Sequence, residues 1–327
     1  MLLARGHEVR GLDAGYYEEC TLLPGPEGME QLRKDLREVE AADLDGVEGV
    51  IHLAALSNDP LGELDPSLTD SINLRGTERL AGLARRASVR RFVYVSSQSM
   101  YGISDASGPA LDEELSEKRP LTAYARTKWD AELALRALGT DSFVVVSFRP
   151  STVFGASPRL RCDIVFNNLV ACGYTTGRIE IASDGTPWRP VVHVRDLSDA
   201  LIAGVEAPAE LVAGMAFNVG LPDGNFTVRQ LAEAAQRAVP GSALVFTGEH
   251  GRDSRTYRVS FRRILTVLGR HYRPSWTLDR GADELVGFFR ATGFSETDFR
   301  GPRTVRLAQL RRLLDAGRLD RDLRWVT

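Results

Sequence analysis

An α/β chain built on a doubly wound parallel sheet, with a smaller α/β domain behind it, is the fold class this sequence predicts. Three observations carry the prediction. Short, nearly continuous apolar runs of strand length alternate with longer stretches at helical spacing. The apolar runs are rich in Val, Ile and Phe, as strands are when helices cover both faces of a parallel sheet. At 327 residues the chain also exceeds the size at which one hydrophobic core usually stops growing.

Taken in order, Gly6 ends a first helical segment as a C′ residue, and 7–13 reads as a short strand. Residues 49–55, 91–97 and 142–149 are three further strands. Helices are expected over 70–86, where Leu74, Leu80 and Leu83 share a face, and over 123–138. Beyond Arg149, glycines and prolines at Gly155, Pro158, Gly173, Gly177, Gly185, Pro187 and Pro190 suggest loops over a cleft. A strand at 191–194 runs into a helix capped near Asp196, and 215–219 rejoins the main sheet. Residues 227–239 form an amphipathic helix, and the Arg/Leu-rich tail, 304–323, reads as a surface helix docked by its leucines. The expected division is a sheet domain over 1–155, rejoined by segments near 187–219, and a smaller domain from 156–186 and 220–327.

The net charge of −3 and pI near 6.0 supply no field that would draw in nucleic acid or an anionic membrane. No apolar run approaches the roughly 18–20 residues of a membrane helix. The first residues lack the apolar core of a signal peptide, so a cytoplasmic location is expected. Cys20, Cys162 and Cys172 are odd in number and widely spaced, which fits reduced structural thiols better than disulfides or a zinc site.

Lys128 is one of only three lysines, with Lys34 and Lys118, among 41 basic residues. It follows Tyr124 by four positions, so the two side chains share a helical face. A fixed ammonium near a phenol favours the phenolate and suits acid–base catalysis, a geometry that arginine cannot copy. Ser97 ends a strand 27 residues earlier, where its hydroxyl could share a proton with a reacting oxygen. Strand ends are where such sheets bind ligands. At those ends Asp13 can accept hydrogen bonds from an adenosine ribose, and the pair Asp35-Leu36 could lie beside an adenine ring. Ala54, Ala55 and Ser57 are small enough to let a dinucleotide backbone approach. Read singly, Asp13 is equally a turn residue and Ser96-Ser97 a capping pair.

Together these residues resemble a known family. Asp13, H-L-A-A at 52–55, N-x-x-G-T at 73–77, V-S-S at 95–97, Y-G at 101–102 and Y-x-x-x-K at 124–128 are similar to the extended short-chain dehydrogenase/reductases. The nearest branch is the NAD-dependent nucleotide-sugar epimerase/dehydratase group, and the likeness continues through F-R-P at 148–150, N-N-L at 167–169 and 184–196. The resemblance implies a Rossmann-like NAD-binding domain, a carboxyl-terminal substrate-binding domain, NAD as cofactor and a nucleotide-diphosphate sugar as substrate. It implies Tyr124 as acid/base, Lys128 as its electrostatic partner and nicotinamide-ribose ligand, and Ser97 as the holder of the substrate oxygen. Leu53, Ala54, Ala55 and Ser96 would line the cofactor site with Asp13, Asp35 and Leu36, and Asn73 would brace the helix and strand behind it. Ser57, Ser99, Asn168, Arg189 and Arg255 would contact substrate, the last three at its nucleotide diphosphate. A homodimer through the 70–86 and 123–138 helices is implied by the same analogy.

Three departures shape the functional expectation. Family dehydratases carry an acid pair where this chain has Gln98 and Ser99, so elimination lacks its general acid and epimerisation is favoured. Thr152 stands where an Asn is usual. The Gly-rich phosphate loop expected about 20 residues before Asp13 would precede Met1. The chain is therefore expected to begin inside the first helix, lacking a central strand, with weak NAD affinity. The alternatives are a keto-sugar reductase with exchangeable cofactor, or a Rossmann-like binding module that has lost catalysis.

Overall fold

The structure, a computed structural model, describes residues 1–25, 27–104, 108–248 and 256–326. Strands run in the order β1 (Arg10–Asp13), β2 (Glu30–Arg33), β3 (Gly49–His52), β4 (Arg91–Val95), β5 (Val144–Pro150) and β6 (Thr152–Phe154). They continue as β7 (Arg178–Ile181), β8 (Trp188–His193), β9 (Ala216–Val219), β10 (Asn225–Thr227) and β11 (Ala243–Phe246). The helices of the first half are α1 (Asp59–Gly62), α2 (Pro66–Thr69), α3 (Gly76–Arg86) and α4 (Ala123–Leu138). Those of the second are α5 (Val165–Thr176), α6 (Val194–Glu206), α7 (Ala209–Val212), α8 (Val228–Ala238), α9 (Arg262–Val267), α10 (Leu278–Thr292), α11 (Glu296–Arg300) and α12 (Arg306–Asp315).

The main sheet is wholly parallel, in the order β3-β4-β5-β9. Its faces follow from the period-2 alternation of the strand residues. Phe92 and Tyr94 pack on one side with Leu80, Leu83 and Leu135 from α3 and α4. Val93 packs on the other with Leu197, Ala200 and Leu201 from α6. This is the doubly wound arrangement, each face covered by helices. Strands β1 and β2 form a separate parallel pair, and among the described residues neither β1 nor β3 has a partner on its other side. Regular pairing in the first strand begins at Arg10 rather than at residue 7, and the His7 ring lies 2.9 Å from Glu206 Oε1.

The second half adds β6-β8-β10, the pair β7-β11, and a core in which α5, α8 and α10 pack together through Phe166, Leu231, Leu285 and Phe289. The helix expected over 227–239 is α8, and it opens on a capping box in which Thr227 and Gln230 are the reciprocal members. The last helix, α12, returns to the first half, where Leu310 and Leu313 are buried with Leu56, Leu61, Leu68 and Ile72. Cys20, Cys162 and Cys172 are free and buried. No helix of the described residues is long and apolar enough to cross a membrane.

The helix expected as one regular run over 70–86 begins instead with a wider π turn, Asp70–Arg75, before α3. That turn presents Asn73, which is 1% exposed. Its Oδ1 accepts from Leu56 N at 2.8 Å, and its Nδ2 donates to Leu56 O at 3.2 Å and to Thr127 Oγ1 at 3.4 Å. One side chain thus fastens the loop after β3 to α4. Asn73→Ala leaves two backbone groups unpaired in the interior, at a cost of about 2–4 kcal/mol. Urea unfolding of the variant, with unchanged slope and a lowered midpoint, is the expected result.

Candidate active site

Ser97 stands where β4 gives way to a 3-10 turn, Gln98–Tyr101. Its Oγ caps that turn, accepting from Ser99 N at 3.1 Å, and its hydroxyl donates to Ser99 Oγ, also at 3.1 Å. Helix α4 starts at Thr122, whose Oγ1 accepts from Ala125 N at 3.1 Å and donates to Asp59 Oδ1 at 2.5 Å. Glu63 Oε1 accepts from Ala123 N at 2.8 Å. Such caps are worth about 1 kcal/mol each, and here they fix the turn that carries Tyr124. Gly62 abuts the same residue. A Cβ at Gly62 would stand 2.8 Å from Tyr124 Cβ, so glycine is what lets α1 approach.

Burial holds the Tyr124 phenol above its ordinary pKa, while a hydrogen bond with Ser97 and the charge of Arg161 draw it back. One turn on, Lys128 Nζ donates to Val95 O at 2.7 Å and lies 5.0 Å from the Tyr94 ring centroid. Burial pulls the Lys128 pKa down to about 7. Beneath it His52 is pushed down to about 3 by burial and by the Lys128 charge, so it is a neutral packing residue joined to Thr77 Oγ1 at 2.7 Å. The Lys128 value has a sign that can be tested. Its folded pKa lies below the unfolded value near 10.4, so between about pH 7 and pH 10 the unfolded chain binds the extra proton. Stability should therefore rise through that window, by at most ~1.4 kcal/mol per pH unit. Urea unfolding at about pH 7, 8 and 9 should show the rise in the natural chain and a flatter profile in Lys128→Met.

The remaining candidates fall into distinct places. Leu53 and Ala54 are exposed at the carboxyl end of β3, Leu53 at 57%, with Ala55 beside them. Ser96 Oγ is buried with no hydrogen-bond partner among the described residues. Asp13 ends β1, its Oδ1 accepting from Gly15 N at 2.7 Å and its Oδ2 from Arg159 Nη1 at 3.4 Å. Asp35 is engaged by Arg37 at 2.7 Å and by Arg324 at 3.4 Å, and Leu36 is buried against Gly76. Ser57 Oγ accepts from Arg161 Nη1 at 2.9 Å. Asn168 Nδ2 donates to Cys162 O at 3.0 Å, and Arg189, on β8, donates to Trp188 O at 3.0 Å. Arg255 lies outside the described residues. Gln98 is turned inward, its Nε2 donating to Arg149 O at 2.9 Å and its Oε1 accepting from Ser151 Oγ at 3.1 Å.

Sequence reasoning missed Arg161. Held by Asp163 at 2.8 Å and bonded to Ser57, it brings a guanidinium to the Tyr124 side of the cleft. The only signal was the Gly/Pro-punctuated segment after β6, which marked a loop over the cleft without naming the residue.

A Tyr–Lys helix face set against a strand-end serine on a doubly wound parallel sheet defines an enzyme of the extended short-chain dehydrogenase/reductase kind. The chain belongs to the NAD dependent epimerase/dehydratase family, whose model matches residues 1–220. It is 31% identical to the UDP-glucose 4-epimerase of Mycolicibacterium smegmatis over 303 residues, 88% of this chain and 93% of that protein. It is 30% identical to the dTDP-glucose 4,6-dehydratase of Streptomyces griseus over 252 residues, 75% of this chain and 72% of that one. The solved structure of MoeE5 in complex with UDP-glucose and NAD is similar with a TM-score of 0.73 at 25% identity, covering 89% of this chain and 93% of MoeE5.

The family is NAD-dependent, and the residues present suit the nicotinamide and ribose ends of that cofactor. The exposed Leu53 offers an apolar wall, Ser96 an unpaired hydroxyl, and Lys128 an ammonium with one of its three donors spent on Val95 O. Among the described residues none forms a glycine-rich strand-to-helix turn for the diphosphate, so the fit rests on those two ends.

Proposed function

We propose that this chain is a nucleotide-sugar epimerase working through a keto-sugar. The observation that carries the reading is that Gln98 and Ser99, rather than carboxylic acids, follow Ser97. Gln98 is spent on Arg149 O and Ser151, and Ser99 on Ser97. The site can move a proton on and off a sugar hydroxyl but offers no acid at those positions to expel one. That argues against dehydration, the activity of the Streptomyces griseus relative.

NAD held at this site would supply a reversible hydride acceptor for the sugar carbon. Tyr124 takes the hydroxyl proton, Ser97 holds the oxygen by hydrogen bonding to it, and Lys128 lowers the cost of the phenolate charge. Tyr124 then gives the proton back after the sugar has turned its other face. The substrate is held through its nucleotide diphosphate by Arg189 and Asn168, with Ser57, Ser99 and Arg161 near the sugar. Asp13, Leu53, Ala54, Ala55, Ser96 and Lys128 are the cofactor contacts we assign, with Asp35 and Leu36 shaping the loop beneath the adenosine. The working form is a homodimer through α3 and α4 in the cytoplasm, where the three free thiols stay reduced.

The test is to incubate the protein with UDP-glucose and UDP-glucuronate and follow the sugars by NMR. An epimeric product with no net NADH is expected. Stoichiometric NADH would turn the reading into the oxidoreductase alternative, and light scattering of a monomer only would remove the dimer.

A further inference from the structure

The carboxyl-terminal residues after α12 do not trail into solvent. They cross the first half of the molecule beyond the ends of β1 and β2. Trp325 Nε1 donates to Ala14 O at 2.6 Å, and Tyr16 OH donates to Leu323 O at 2.6 Å. Arg37 Nη2 donates to Asp322 O at 2.8 Å, and Arg324 Nη1 reaches Glu38 at 2.5 Å and Asp35 at 3.4 Å. The Arg33 guanidinium lies over the Trp325 ring, 4.5 Å from its centroid. Leu319 and Leu323 are buried, and Leu323 adopts a φ of 56°, a strained value for a leucine that surrounding contacts must hold. Arg312 and Arg318 both pair with Glu19, which pins the root of the segment.

Every anchor named here is on the loop that follows β1, at the end of β2, or in the short turn just after it. Ligands of open parallel sheets bind beyond those ends, and an acid at the end of such a strand takes the adenosine ribose. The segment occupies Asp35 through Arg324 yet leaves Asp13 half-exposed, its Oδ2 in contact with Arg159. The ribose acceptor is thus open while the ground beside it is roofed. We infer that residues 319–326 are a strap forming the outer wall of the adenosine end of the dinucleotide cleft, so that NAD and an ordered tail stabilise each other. This rests on the cofactor reading above and adds a residue set to it.

Tryptic release of the tail tests the coupling, because Arg318, Arg321 and Arg324 lie within it. If cutting requires the strap to open, a ligand that binds the closed form slows it by the factor 1 + [L]/Kd, about tenfold at ten times Kd. NAD and ADP-ribose should both protect the tail, whereas nicotinamide mononucleotide, which lacks the adenosine, should not. Trp325→Ala should weaken NAD binding about tenfold by calorimetry, with the fold intact by circular dichroism. Faster cutting with NAD, equal protection by the mononucleotide, or unchanged NAD affinity in Trp325→Ala would each overturn the strap while leaving the cofactor reading standing. No calorimetric binding of NAD to the natural chain overturns both.

Discussion

Tyr124→Phe is expected to lower turnover about 10³-fold, roughly 4 kcal/mol of barrier, with the fold preserved. The substitution keeps the Cβ that abuts Gly62 and removes only Oη. Without that oxygen the site loses the group we assign to take the sugar's proton, and neither Ser97, an alcohol, nor His52, buried beneath Lys128, replaces it. Initial rates on a UDP-sugar, beside a thermal melt of the same sample, separate lost chemistry from lost folding. A variant as active as the parent would favour the binding-module alternative.

The largest effect on stability should come from Glu132→Ala. Glu132 and Arg149 form an ion pair whose side chains are only 6% and 3% exposed, with Arg149 Nη2 donating to Glu132 Oε1 at 2.6 Å. Arg149 Nη1 also donates to Tyr101 OH at 2.9 Å, and Tyr101 OH donates to Asn218 Oδ1 at 2.9 Å. Asn218 N in turn donates to Glu113 Oε1 at 2.8 Å. The chain of bonds ties α4 to β5 and β9 directly behind Lys128. Removing the carboxylate strands a guanidinium that cannot deprotonate, at a cost of about 3–5 kcal/mol. Urea unfolding should show it, and the double variant Glu132→Leu/Arg149→Met should recover a large part. A loss below about 1 kcal/mol would mean that water already reaches the pair.

The sequence was most informative where chemistry is local. Nearly continuous apolar runs placed the strands of the main sheet, and the Tyr124–Lys128 spacing placed the two side chains on one helical face, because each depends on neighbours a few positions away. The amphipathic helix over 227–239 was readable for the same reason. The π turn at Asp70–Arg75 was not, since it follows from how Asn73 must reach Leu56 and Thr127 across the fold. Arg161 and Trp325 were invisible on like grounds: their partners, Ser57 and Ala14, are 104 and 311 residues away. The tail's leucine stripe announced a docked helix, but nothing in it said which half of the molecule would receive it.

The three free cysteines have a practical consequence. All are enclosed, and burial drives the Cys20 thiol up and the Cys162 thiol up to about 12, far from the thiolate that reacts. A cysteine introduced at the exposed Val326 would then be the fastest thiol to take a maleimide at neutral pH. The chain thus comes ready for single-position fluorescent tagging without first deleting its own sulfurs, and a dye at that end would sit on the strap inferred above.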